Sequence, residues 1–421
     1  MTTVRVAPGP VRGRIRAPSS KSYTHRALVV GHFSERPFVV HRPLRSDDTL
    51  ATVRALRSLG DRVDLGPERW TIRRGVPPRG RVRIDCRQSG TTLRFMAAVA
   101  PATGASVRLE GEGRLPRRPM APLVDALRTL GVEVHVGARG LPIDTDGRLR
   151  GGSIRLDASQ SSQFTSALLL VLPTVEPASR IDLTGPIVSE TYIEATVAVL
   201  RAAQMRVAWS GRTIHIPGGQ RYSTRRFEVP GDASSAAYLL AAAAVSGGTV
   251  TVGGLDPEWP QADLRVLDLL GRAGASVRRS GSNATVTGQG LTGFEIDLTE
   301  SPDLYPLAGV IAAQARGTSR LLGAAHVAWK ESDRRRSTTR LARAFGARVE
   351  DRGGRLSITG APAPPGARLG GLEDHRLVMS AAVGALGARG ASRISDADAV
   401  GKSYPEFWTD LGRLGAAVVQ S

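Results

Sequence analysis

One cysteine, Cys86, is all the thiol this 421-residue chain carries. That excludes an intrachain disulfide framework and any multi-cysteine metal site, and it fits a reducing compartment. Long apolar runs are missing as well. The longest, Ala236–Val245 and Ala167–Leu172, fall far short of the roughly 20 residues that a spanning helix needs. Residues 1–20 hold Arg and Pro but no apolar centre, so no secretory signal is read there. The expectation is a cytoplasmic chain with no membrane partner. Asparagine occurs once, at Asn283, and lysine only three times, at Lys21, Lys330 and Lys402, among 57 basic residues. Arginine has replaced lysine almost everywhere. A surviving lysine is therefore expected where a planar, permanently charged guanidinium cannot serve, because an ammonium is a compact charge that can give or take a proton.

What is present is ordinary globular composition, 41% hydrophobic and 23% charged, with enough length for two domains. The net charge of +19 is spread along the chain and interleaved with acids. No basic tail stands out, so small anions rather than nucleic acid are the expected partners.

An internal repeat organises the chain. A helical stretch, a glycine and an alternating strand recur at Ala55–Gly60, Ala126–Gly131, Leu270–Gly274, Leu341–Gly346 and Leu411–Gly415, with a weaker copy at Leu200–Gln204. The copies lie roughly 70 residues apart. The glycine is expected to stop the helix in the left-handed region, and Val132, Val134 and Val136 read as one strand face. A second pattern interleaves: an Ala/Leu-rich helix, a turn and a short strand. Examples are Phe95–Ala100, Ala236–Val245, Leu307–Ala313 and Val378–Ala385. Helices apolar on most faces are buried ones. The expected fold is α/β: two inside-out domains, each of three repeated βαβαββ-type units, with sheets outside and helices within. Helix N-termini brought together that way would favour anions.

Several constellations carry chemistry. Pro18–Arg26 puts hydroxyls, Lys21 and Arg26 at a helix start. Gln88–Arg94 does the same around Gly90, where backbone can approach an anion closely. Gly111–Pro119 holds Arg114, Arg117 and Arg118 before a helix, and either a lid over an anion or a solvated loop would have that composition. Ser159–Gln163 is a polar run that could bind a polyol and a phosphate, or only cap a helix. His326–Arg334 sets Lys330, Glu331, Asp333 and Arg334 within five positions, and Asp303 lies upstream. Carboxylates beside cations can divide acid and base work. Glu373–Arg376 and Gly401–Pro405 add Arg376 and Lys402.

In order, the segments SSKSYTHR, SGTTLR, GEGRLPRRP, SQSSQF, PGDASSA, PDLYPLAG, KESDR, EDHR and GKSYPEF resemble the 5-enolpyruvylshikimate-3-phosphate synthase family, from residue 19 to residue 408. The resemblance implies transfer of an enolpyruvyl group from phosphoenolpyruvate to shikimate-3-phosphate, with no cofactor and no metal, and a monomer. It implies one domain from residues 1–18 plus 230–421, the other from 19–229, and an active site in the cleft between them. Carried over residue by residue, it implies shikimate-3-phosphate contacts from Lys21, Ser22, Arg26, Ser161, Ser162, Gln163, Ser189, Tyr192, Asp303, His326 and Lys330. Phosphoenolpyruvate would meet Lys21, Gly90, Arg114, Gln163, Arg334, Arg376 and Lys402. Asp303 would be the base toward the attacking hydroxyl, and Glu331 with Lys21 would protonate the methylene carbon.

Departures from the family pattern are Gln88 in place of Asn, Ala328-Trp329 in place of Arg-Val, and Ser189–Tyr192, which sets Glu190 beside the expected phosphate site. A UDP-N-acetylglucosamine enolpyruvyl transferase would place a cysteine in the Gly111–Pro119 loop, which has none. An RNA-binding protein of related repeat architecture would leave Asp303, Glu331 and the three lysines without a role.

Overall fold

A computed structural model describes residues 2–323 and 325–420. The chain is a mixed α/β protein, and it divides into two compact units. One comprises Met1–Pro18 with Gly231–Ser421, the other Ser19–Pro230.

Each unit contains three four-stranded sheets of one topology. In the sheet Val82–Asp85, Val107–Glu110, Ile143–Asp146, Glu133–Val136, the first pair is parallel and the other two are antiparallel. The chain runs strand, helix, strand, helix, hairpin. The sheets starting at Ser153–Asp157 and Glu295–Asp297 repeat this order locally. The other three take one strand from far along the chain. Arg226–Glu228 completes the sheet of Phe38–His41, Arg12–Arg16 completes that of Thr249–Gly253, and Val4–Val6 inserts between Ser392–Ile394 and Val418–Gln420.

The two helices of each repeat differ in sequence and so in burial. Gly90–Ala102, Ser162–Val171 and Lys21–Phe33 in one unit are buried on nearly every face. So are Ala233–Ser246, Tyr305–Gln314 and His375–Leu386 in the other. Small residues let some of these backbones approach closely, and Ala233–Ser246 is rich in alanine. Gly309, for example, has the Thr338 methyl 2.1 Å from where a Cβ would stand. Within each unit the three buried helices pack on one another. A helix with no polar face has no other stable place in water.

The second helix of each repeat is amphipathic, as in Asp47–Ser58 and Arg334–Ala344. Its stop is the recurrent glycine, and Gly60, Gly131, Gly274, Gly346 and Gly415 all have positive φ. In the copy without glycine, Gln204 takes the same left-handed turn at φ 62°. The strand alternation holds in part. Val132 and Val134 are buried, whereas Val136, the last residue of its strand, is exposed. Among the described residues no helix is long and apolar enough to cross a membrane.

Candidate active site

The N-terminal turns of the buried helices carry most of the residues singled out above. In the 19–230 unit, Lys21 opens its helix and its Nζ lies 2.9 Å from Asp48 Oδ2. One turn later Arg26 is buried with neutral acceptors on all sides. Its Nε donates to Thr196 Oγ1 at 2.9 Å, Nη1 to Ser22 Oγ at 2.6 Å, and Nη2 to the Tyr192 carbonyl at 2.9 Å and Ser166 Oγ at 3.2 Å. Burial brings the Arg26 guanidinium down to about 10, opposed by Tyr23 and Tyr192. A buried cation without a carboxylate is a place where an anionic ligand lowers the energy.

Beside it, Arg94 donates to Gln163 Oε1 at 2.6 Å and to the Pro119 carbonyl at 3.0 Å, and its guanidinium lies over the Phe164 ring. Gly90 opens the same helix under two guanidinium groups. A Cβ there would stand 2.4 Å from Arg118 Nη1 and 2.9 Å from Arg94 Nη1. Ser161 caps the helix that Ser162 begins, accepting from the Gln163 N–H at 3.3 Å. The Gln163 amide donates onward to Thr91. Ser189 is buried at φ 54°, and its carbonyl accepts from Tyr192 N–H. Glu190 precedes the helix Thr191–Ala202 and is half-buried. Arg114 is exposed at the start of a short 3-10 turn and joins none of these hydrogen bonds.

A second cluster lies in the other unit. Asp303 sits in the short turn before Tyr305–Gln314. One of its oxygens accepts from Arg334 Nη1, the other from Arg376 Nη2 at 2.8 Å. Arg334, 1% exposed, also donates from Nη2 to Glu331 Oε2 at 2.9 Å and from Nε to Asp374 Oδ2 at 3.0 Å. Asp374 caps the helix of Arg376 and accepts from Ser332 Oγ. Burial alone would raise the Asp303 carboxyl. Arg376, Arg334 and Lys330 outweigh it and hold the group well below the usual range. His326 is buried beside them and is pushed down to about 3, by burial first and then by Lys330. It is therefore a neutral imidazole at physiological pH. Lys402 ends the turn Ala397–Lys402, which packs against the helix His375–Leu386, and makes no ion pair among the described residues. Among those residues no group of three or more His, Cys, Asp or Glu is placed to hold a metal.

Two arginines bridged by one carboxylate, with further acids and a lysine alongside, form the second cluster. The description "EPSP synthase (3-phosphoshikimate 1-carboxyvinyltransferase)" fits residues 6–411. The chain belongs to the EPSP synthase family. A 3-phosphoshikimate 1-carboxyvinyltransferase of Methanothrix thermoacetophila is 41% identical over 421 residues, covering 99% of each chain. That of Methanocorpusculum labreanum is 39% identical over 415 residues, covering 98% of each. Among solved structures, EPSP synthase from Acinetobacter baumannii superimposes with a TM-score of 0.83 at 24% identity, covering all of both chains. The enolpyruvyl transferase NikO from Streptomyces tendae gives 0.81 at 16% identity, covering 100% and 98%. At those identities the two structures speak for the fold.

Sequence reading of this EPSP synthase family member missed residues that carry much of the geometry. Asp48, the partner of Lys21, lies in a helix-capping segment and gives no signal of its own. Arg94 and Asp374 stand inside recognised motifs but have no role until the structure sets them against Gln163 and Arg334. Asp263 is buried, accepts from Ser234 Oγ on one oxygen, and has no partner for the other. Nothing in its local sequence marks it.

Proposed function

We propose that this transferase moves the enolpyruvyl group of phosphoenolpyruvate to the 5-hydroxyl of shikimate-3-phosphate, a step of the shikimate pathway of aromatic amino acid biosynthesis. Family membership supports the reaction, and the chemistry of the side chains supports the roles. In the 19–230 unit, Lys21, Arg26, Ser22, Gln163 and the Ser161-Ser162 turn offer donors to a phosphate and a polyol ring. In the other unit, Arg334 and Arg376 suit a substrate carboxylate, and Lys402 adds a charge not already taken up by an acid.

The observation that carries the reading is Asp303 between two arginines with Glu331 on one of them. Addition of an alcohol to an enol phosphate needs a proton on the methylene carbon as the hydroxyl loses its own. Glu331, with Lys21, supplies the first proton, and C2 gains positive character. Asp303 takes the proton of the hydroxyl as its oxygen bonds to C2. The tetrahedral ketal then collapses. A methyl proton leaves, the C2–O bond to phosphate breaks, and the double bond returns. Each acid and base works beside fixed cations, which a water-poor site strengthens.

Phosphate release from phosphoenolpyruvate, assayed with and without shikimate-3-phosphate, tests the reading. Release is expected only with both substrates. With the bridging oxygen of phosphoenolpyruvate labelled, the label is expected in the released phosphate. Label retained in an organic product would mean that the P–O bond had broken and would overturn the mechanism.

A further inference from the structure

The free site already contains anions where the substrate carboxylate belongs. Arg334 has five N–H donors, and three of its nitrogens are engaged by three carboxylates: Asp374 on Nε, Asp303 on Nη1 and Glu331 on Nη2. Asp303 spans from Arg334 to Arg376 with one oxygen on each. That is how a small carboxylate ligand bridges two guanidinium groups. Arg376 is 3% exposed, and among the described residues its Nε and Nη1 have no partner within hydrogen-bond geometry. Among the described residues its one carboxylate ion pair is with Asp303. Most of the local charge is already paired. Lys330, Arg334 and Arg376 stand against Asp303, Glu331 and Asp374, while Asp263, His326 and Tyr238 face the same arginines from neighbouring elements. The carboxylate of phosphoenolpyruvate cannot take those same nitrogens of Arg334 and Arg376 without displacing Asp303 from them.

We propose that Asp303 and Glu331 are the resident anions of the free site. The substrate carboxylate replaces them on Arg334 and Arg376, and that exchange is what frees them for proton transfer. The proposal rests on the functional reading above. A base held by two arginines is a poor one. Asp303, well below its ordinary range in the free chain, regains basicity as the arginine charges are neutralised by the ligand. Glu331, released from Arg334, becomes easier to protonate from solvent, as its task requires. Asp374 is different. It is fully buried and is tied to Ser332 and to the Arg376 N–H, so it stays and orients Arg334 from behind.

The experiment is a titration of the full chain with phosphoenolpyruvate alone, where no turnover occurs. Asp303→Asn removes the competing charge, and affinity is expected to rise by roughly tenfold, one pK unit of competition, even as turnover with both substrates falls. Glu331→Gln is expected to tighten binding as well. Asp374→Asn should weaken it, because its role is to position Arg334. Affinity unchanged or lowered in Asp303→Asn, or raised equally in Asp374→Asn, overturns the exchange. The wild-type chain gives a readout that does not depend on any variant folding. In a crystal structure with phosphoenolpyruvate bound, Asp303 is expected beyond hydrogen-bond distance of at least one arginine, and its continued bridging of both would overturn the proposal. Wild-type turnover, measured alongside, separates the two claims. Turnover with no tightening in Asp303→Asn sinks the exchange alone, whereas absent turnover sinks the functional reading too.

Discussion

Lys21 is one of three lysines in a chain that uses arginine everywhere else, and its ammonium meets Asp48 at 2.9 Å. An arginine there would keep the charge and the ion pair but could not give up a proton at neutral pH. Lys21→Arg is therefore expected to lower kcat by about 100-fold or more, the range of acid–base catalysis, with substrate affinity changed far less. Near-normal kcat in Lys21→Arg, Lys330→Arg and Lys402→Arg alike would remove the argument from composition. Asp263 gives a second prediction at this scale. Burial, then Asp303, push its carboxyl up to about 7, against the pull of Arg376 and the Ser234 hydroxyl. The folded chain thus holds a proton that the unfolded chain gives up near pH 4. Stability from this group is full below that pH, falls as pH rises, and levels off above about 7. Relative to wild type, Asp263→Asn should gain stability between pH 5 and pH 7 and level off above that in denaturant titrations. A constant difference across that range would show that Asp263 is ionised in the fold. No reading of the sequence could have found this residue, because its state depends on neighbours 31 and 40 positions away, Asp232 and Asp303.

Helices were the most legible elements, and the reason is physical. Ala233–Ser246 and Tyr305–Gln314 have no polar face, so their burial could be read from composition alone, and their first turns, which hold Ser234, Ser235 and Pro306, fell outside the apolar pattern together with the closing Ser246 and Gln314. Those first turns matter chemically, since the polar residues there cap the helix, as Asp232 does for Ala233–Ser246. The ion-pair pattern was not legible. Arg334, Glu331 and Asp303 could be named as candidates from local charge density, but which carboxylate takes which nitrogen follows from how a 3-10 turn and two helix starts pack, a long-range outcome. Gly90 joins the two levels. At the first position of an ordinary helix, alanine would be favoured over glycine by up to about 1 kcal/mol. Here the added methyl would fall 2.4 Å from Arg118 Nη1 and 2.9 Å from Arg94 Nη1. Gly90→Ala should leave the fold intact in a thermal melt and raise KM for phosphoenolpyruvate by roughly tenfold, because a displaced guanidinium loses a charge-assisted bond. An unchanged KM would mean that these arginines do not serve the ligand.

Across the whole molecule the +19 charge is handled unevenly. Many arginines on the strands are matched on the spot, as Arg83 with Glu110, Arg108 with Asp144, Arg180 with Asp182 and Arg348 with Glu350. Exposed pairs of this kind contribute little each and are weakened by salt. The sheet of Arg12–Arg16 and Ser276–Ser280 has exposed Arg12, Arg14, Arg16, Arg278 and Arg279 and no acid on any of its four strands. The surplus charge therefore repels itself, and it also draws in anions. Salt acts on both effects, and it moves them in opposite directions. Screening relieves self-repulsion, so Tm should rise between about 20 and 500 mM KCl as the Debye length shrinks from roughly 20 Å to a few ångströms. Screening also weakens the long-range pull on phosphoenolpyruvate and shikimate-3-phosphate, so kcat/KM for each should fall several-fold over the same range. Buried contacts such as Arg26 with Ser22 and Tyr192 are shielded from salt by the protein, so kcat itself should change little. A Tm that fell together with kcat/KM would mean that the local ion pairs, and not the net charge, dominate the electrostatics of the molecule.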